Sequence, residues 1–132
     1  MPRLRIDEAD GLTVADITHI RFTALPATAT VADVRAWFAQ STSRRLAFVA
    51  DGGRYLGSLT PADVAGDADG DRPAVEVAQD GPIVSPEAPA TTGRDLALLT
   101  ESRRVPVVDA DGRLLGVVAV TGDRQSFCGT GG

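Results

Sequence analysis

The 132-residue chain has no lysine; all 13 of its basic residues are arginine. That rules out a phosphate loop built on lysine and any Schiff-base chemistry. The one cysteine, Cys128, excludes an intrachain disulfide and a paired-cysteine metal site. It lies in a Gly-rich tail and reads as a free, exposed thiol, with an interchain disulfide as the alternative. The one histidine, His19, excludes a histidine-pair zinc motif and leaves no Ser–His–acid constellation to assemble. With bases and metal ligands so scarce, no enzyme is expected and no cofactor is required. Apolar runs are short of the roughly 18 residues that cross a bilayer, so no membrane partner is expected. The opening residues 1–7 lack the apolar core of a signal peptide, which makes the cytoplasm the expected compartment. Positive charge is also in deficit. The net charge of −5 repels phosphate backbones and argues against nucleic acid as a partner.

What is present is an ordinary globular composition, 43% hydrophobic and 23% charged, and an internal repeat. Ser43-Arg44-Arg45-Leu46-Ala47-Phe48-Val49 resembles Ser102-Arg103-Arg104-Val105-Pro106-Val107-Val108, an offset of 59. The same offset relates Gly53-Arg54 to Gly112-Arg113 and Leu56-Gly57 to Leu115-Gly116. Upstream, Pro26 matches Pro86 at an offset of 60.

Each copy reads as helix–strand–helix–strand–strand–helix. In the first, Thr13 caps a helical turn over 14–17, and 21–25 is a short strand. Thr30 caps a helix with Val31, Val34, Trp37 and Phe38 on its apolar face. Residues 46–50 and 55–59 are strands joined by Asp51-Gly52-Gly53, and Thr60-Pro61 opens another helix. In the second copy, 82–85 is a short strand. Thr92 caps a helix, with Asp95 in a capping-box position and Leu96 and Leu99 facing the core. A hairpin of 105–108 and 114–119 turns at Asp111-Gly112. Gly57 and Gly116 permit close packing within the hairpins. A unit of this size buries too little surface to be comfortable alone, so two copies packed sheet to sheet are expected.

The expected organisation is an N-terminal arm at 1–12, repeat one at 13–66, a linker at 67–73, repeat two at 74–123 and a flexible tail at 124–132. The Asp67-Ala68-Asp69-Gly70-Asp71 order is partly that of a calcium loop. The glycine such a loop requires is Arg72 here, and the glutamate is Ala78, so a solvated linker is the simpler reading.

The strings 104–118 and 57–64 are similar to the closing half of a cystathionine β-synthase-type (CBS) domain. The strings 83–87 and 13–17 are similar to its opening. Two copies in order carry the resemblance over residues 13–123. It implies an α+β fold of two β-α-β-β-α repeats with pseudo-twofold symmetry, a Bateman module of the stand-alone bacterial type. It also implies inter-repeat clefts for an adenosine-containing ligand (AMP, ADP, ATP or S-adenosylmethionine), a homodimer, and a separate regulated protein.

The resemblance places the ribose and phosphate motif, Ser/Thr-x-x-Asp, at Thr60-Pro61-Ala62-Asp63. A carboxylate can accept from both vicinal hydroxyls of a ribose, and Thr60 adds a hydroxyl. A plain capping box with no ligand is the alternative. In the second copy the equivalent positions are Ala119 and Gly122, so at most one well-formed nucleotide site per chain is expected. Arg44, Arg45, Arg103 and Arg104 precede the central strands. They suit phosphate neutralisation, Arg45 and Arg104 best, or else surface ion pairing. Leu46, Ala47, Val105 and Pro106 flank an adenine ring or fill a core. Thr23 stands where the family often contacts the base. Trp37 reads as core and His19 as a surface or cleft-edge residue.

Overall fold

A computed structural model describes residues 4–66 and 69–128. The chain is α+β and divides into two compact units. Thr23–Gly81 forms one, and the described residues on either side of it form the other. A sequence repeat and a compact unit are therefore different divisions of this chain.

The continuous unit is built on a three-stranded sheet. Strand β1 (Ala24–Pro26) runs parallel to β2 (Ala47–Asp51), which pairs antiparallel with β3 (Arg54–Leu59). Parallel neighbours need a crossover, and helix α2 (Val31–Ala39) supplies it. Asp51 pairs with Arg54, so the hairpin loop is Gly52-Gly53. Both glycines take positive φ (58° and 88°), as a tight primed turn requires. Strand β1 begins later than expected and includes Pro26, which an edge strand tolerates because no ladder N–H is lost. Helix α3 (Pro61–Ala65) follows β3 at once, with Pro61 at its first position. Val31, Val34, Val49, Leu59 and Val64 form the core, and Trp37 and Phe38 pack partly buried against it.

Residues 69–73 do more than link. The Arg72 and Gly70 carbonyls accept from the Val31 and Ala32 N–H groups, both at 2.9 Å. Those donors open α2 and have no partner within the helix. The calcium reading falls partly on residues 67 and 68, outside the described residues. Among the described residues no group of three or more His, Cys, Asp or Glu side chains is placed to hold a metal.

The other unit pairs β4 (Arg104–Val108) antiparallel with β5 (Leu114–Ala119) and packs helices α1 (Val14–Ile17) and α4 (Ala90–Leu99) on them. The expected strand at 82–85 reduces to one parallel bridge, Val84 to Val107. Helix α4 starts earlier than Thr92: Pro89 takes the cap position, and the Ala90 N–H is bound by the Leu12 carbonyl at 2.8 Å. Its fully buried face is Ala90, Gly93 and Ala97; Leu96 packs partly buried against the same core as expected, but Leu99 is 84% exposed. Gly93 sets that rotation. A Cβ there would lie 3.1 Å from Val14 and 3.3 Å from Val118, so the helix rests its smallest residues on the sheet.

Described residues near both ends of the sequence, 4–9 and 126–128, join this unit. Ala9 is fully buried, and Phe127, expected in a flexible tail, is completely enclosed in the core with Ile17, Val105 and Val118. Cys128 is half-buried beyond it, its N–H on the Ala119 carbonyl at 2.7 Å. Residues 129–132 lie outside the described residues. Among the described residues no helix is long and apolar enough to cross a membrane.

The repeat extends to fine geometry. Each hairpin skips one residue in its register, Leu56 in the first and Leu115 in the second. Each glycine that follows makes room for an outside segment. A Cβ on Gly57 would lie 2.9 Å from Ala78 Cβ, and one on Gly116 would lie 2.6 Å from the His19 carbonyl. Ser58 then pairs with Gln79, and Val117 with His19. The close packing expected within each hairpin is thus packing of the hairpin against a third segment.

Candidate functional site

The sheet register gathers several of the expected site residues. Ala24 stands beside Phe48, so Thr23, one residue earlier, stands beside Ala47. Ala47 stands opposite Leu59, so Leu46 stands opposite Thr60. Thr23, Leu46-Ala47 and Thr60 therefore share one end of the continuous unit's sheet. Thr23 and Arg45 are exposed, Leu46 is half-buried and Ala47 is wholly buried in the core.

At that end Thr60 and Asp63 form a reciprocal box. The Thr60 N–H donates to Asp63 Oδ2 at 2.8 Å, and the Asp63 N–H donates to the Thr60 hydroxyl at 3.3 Å. The capping reading thus describes real bonds, but it leaves acceptor capacity on a half-exposed carboxylate. Asp63 Oδ1 accepts from Gln79 Nε2 at 3.2 Å. Sequence reasoning missed Gln79. The signal that could have found it is the offset of 60, which makes it the counterpart of His19.

The two arginines before β2 part company. Arg44 turns back on α2: one Nη1 donates to the Trp37 carbonyl at 2.6 Å and to Gln40 Oε1 at 2.8 Å, and the guanidinium lies 4.4 Å from the Trp37 ring centroid. It closes a helix C-terminus, where carbonyls lack partners and a cation is favoured. Arg45 has no hydrogen bond or ion pair among the described residues and stands at the gathered end of the sheet.

Arg104, Val105 and Pro106 belong to the other unit. Val105 is sealed in its core and Pro106 is fully buried, while Arg104 donates to the Ser102 carbonyl at 2.9 Å. Among the described residues the second copy has no helix after β5. The Thr121 hydroxyl donates to Asp123 Oδ1 at 2.6 Å and closes a turn instead. At Gly122, the counterpart of Asp63, a Cβ would lie 3.8 Å from Arg103 Nη2. Where one copy offers a carboxylate, the other brings a guanidinium.

Two further features lie in the same unit. Tyr55, on β3, has a buried hydroxyl with no hydrogen-bond partner among the described residues. Burial pushes its phenol above the ordinary range. The Ser58 hydroxyl pulls it partly back, and the Asp80 carboxylate raises it further. On the other side of α3, an open apolar groove of about 500 Å³ is lined by Phe38 and Ala39 of α2 and Pro61, Val64 and Ala65 of α3. Neither Thr60 nor Asp63 lines it.

Two small α+β units, each a hairpin flanked by helices with an added third segment, define a class of paired-repeat α+β domains. Residues 75–121 match the family model for the CBS domain, and the chain has the fold of a CBS-domain pair. It is similar to the cystathionine beta-synthase pair domain of a Shewanella oneidensis MR-1 protein, with a TM-score of 0.74 and 20% identity over 86% of this chain and 68% of that one. A CBS domain pair/ACT domain protein from Thermotoga maritima gives 0.68 and 24% identity over 82% and 89%. Arabidopsis thaliana CBSX2, solved in complex with AMP, gives 0.69 and 22% identity over 83% and 90%. No curated protein matches the sequence.

Proposed function

We propose that this chain is a non-catalytic regulatory module that senses an adenosine-containing ligand (AMP, ADP, ATP or S-adenosylmethionine) at Asp63. It works in the cytoplasm as a homodimer and transmits occupancy to a separate protein. The observation that carries the reading is the register that gathers Thr23, Leu46 and Thr60 at the end of the sheet where Asp63 keeps acceptor capacity. There Asp63 takes the ribose, Leu46 and Thr23 border the base, and Arg45 neutralises phosphate. The likeness to a CBS pair solved with AMP supports it. The second copy, with Gly122 for the acid, supplies no equivalent.

Calorimetric titration with AMP, ATP and S-adenosylmethionine tests this. Asp63→Ala removes two charge-assisted hydrogen bonds of roughly 1.5–3 kcal/mol each, so affinity falls by about 100-fold or more. That change also strips the α3 cap, worth about 1 kcal/mol. Asp63→Asn keeps an acceptor for the Thr60 N–H while losing the charge, and it too weakens binding. Equal affinities in all three proteins remove Asp63 from the site.

A second reading is a ligand-free dimerisation and interaction module. The apolar groove between α2 and α3, apart from Thr60 and Asp63, favours it. It predicts no thermal shift with any adenosine ligand and a stable dimer nonetheless.

A further inference from the structure

We infer that Gln79 is the second half of a sugar-reading pair: with Asp63 it selects a ribonucleoside ligand over analogues that lack the ribose hydroxyls. The inference rests on the ligand reading of Asp63 given above. The position of Gln79 is fixed by its backbone. Its N–H donates to the Ser58 carbonyl at 2.9 Å, and its carbonyl accepts from the Ser58 N–H at 3.0 Å. Gly57 permits that approach, since a Cβ there would lie 3.2 Å from the Gln79 oxygen. The segment is thereby held against β3 two residues before Thr60, and the Gln79 side chain reaches Asp63 Oδ1 at 3.2 Å.

The chemistry of the pair follows from what is already used. An ionised carboxylate only accepts, through about four lone-pair positions. The Thr60 N–H occupies one on Oδ2, and Gln79 Nε2 occupies one on Oδ1. Each oxygen keeps one. The Gln79 amide, already in contact with Asp63, keeps a second N–H and its own carbonyl oxygen. A hydroxyl both donates and accepts. One seated here donates to Asp63 Oδ1 and accepts from Gln79, so both of its functions are met. Its neighbour on the ribose donates to Oδ2 or to Gln79 Oε1. Asp63 alone can satisfy only the donating half. A ligand without the hydroxyls leaves acid and amide unanswered together, which is how a site rejects an analogue lacking a polar group. The equivalent residue of the other unit, His19, pairs with Val117, and the position equivalent to Asp63 is Gly122, so the acid half of the pair is missing from that unit.

The test is calorimetric titration of the full chain with AMP and ATP, each alongside its 2′,3′-dideoxy analogue. Wild type is compared with Gln79→Ala, Gln79→Glu and Asp63→Asn. Gln79 is exposed, so its truncation leaves the core and the α3 cap intact, and an unchanged melting temperature checks this. Wild type is expected to prefer the ribose form. Gln79→Ala narrows that preference by about three- to tenfold, the worth of one hydrogen bond. Gln79→Glu, which sets a second carboxylate against Asp63, abolishes it. A preference of wild-type size in Gln79→Ala, or an equal weakening of ribose and dideoxy forms, overturns the role of Gln79. If Asp63→Asn still narrows the preference in that case, the ligand reading survives. Failure of wild type to bind any of these nucleotides or S-adenosylmethionine overturns both.

Discussion

A lysine-free chain has an unusually quiet alkaline titration, and Tyr55 is its one tyrosine. Its phenol is buried without a hydrogen-bond partner among the described residues and held above its ordinary value, first by desolvation. An acid whose folded pKa is raised binds its proton more tightly in the native state. Above pH ~10 the unfolded chain gives up that proton first, so stability falls as pH rises toward the folded value. Below pH ~10 both states are protonated and the contribution is constant. Tyr55→Phe is therefore expected to flatten the stability curve above pH ~10. At neutral pH it should also raise stability by about 1 kcal/mol, because a buried unsatisfied hydroxyl is removed. Urea denaturation at stepped pH measures both. A variant that keeps the wild-type alkaline slope, or loses stability at pH 7, would show that the phenol has a partner or that another group drives the slope.

At the scale of elements, the glycines at 57 and 116 matter more than their hairpins. Gly116 lets residues 18–20 lie along β5; any Cβ there meets Thr18 Cγ2 and the His19 carbonyl, and backbone cannot swing aside. Gly116→Ala is expected to cost about 2–3 kcal/mol, as overpacking does. Hydrogen exchange should locate the damage at the paired His19 and Val117 amides, whose bonds are 2.8 and 3.0 Å. Leu99→Ser, on the exposed side of α4, changes stability little by comparison. The pair of changes also marks where sequence reading stops. Offsets of 59 and 60, caps at Thr13, Thr30 and Thr60, and valine-rich strands were legible because each is a local pattern or its repetition. The pairing of His19 with β5 was not, since nothing near position 19 announces a partner almost a chain length away. Leu99 misled for a related reason: its helical spacing is right for a core face, but Gly93 against Val14 and Val118 rotates the helix onto smaller residues. The Thr60-Asp63 box was readable at sight, whereas Gln79 needed the third segment of the sheet to be known.

At the scale of the whole molecule, the two units differ in how the chain enters them. One is a single stretch, Thr23–Gly81, while the other is closed by described residues near both ends of the sequence. Phe127 is what closes it. Its N–H donates to the Leu4 carbonyl at 2.8 Å, and its ring is fully enclosed among Ile17, Val105 and Val118. Removing a buried phenylalanine side chain leaves a cavity and costs about 3–5 kcal/mol, a large share of the ~5–15 kcal/mol that holds a domain folded. Phe127→Ala is therefore expected to lower stability by that amount. The cores are distinct sets of residues, so the loss should be uneven. Amides at Val105 and Val118 should exchange far faster than in wild type, while those at Val49 and Leu59 keep more of their protection. Native-state hydrogen exchange on the full chain reads both sets at once. An equal loss in the two sets would mean that the chain unfolds as one cooperative body, and occupancy at Asp63 would then stabilise Phe127's surroundings as strongly as its own. An uneven loss would confine ligand-dependent ordering to the continuous unit, where Thr60, Asp63 and Gln79 all reside.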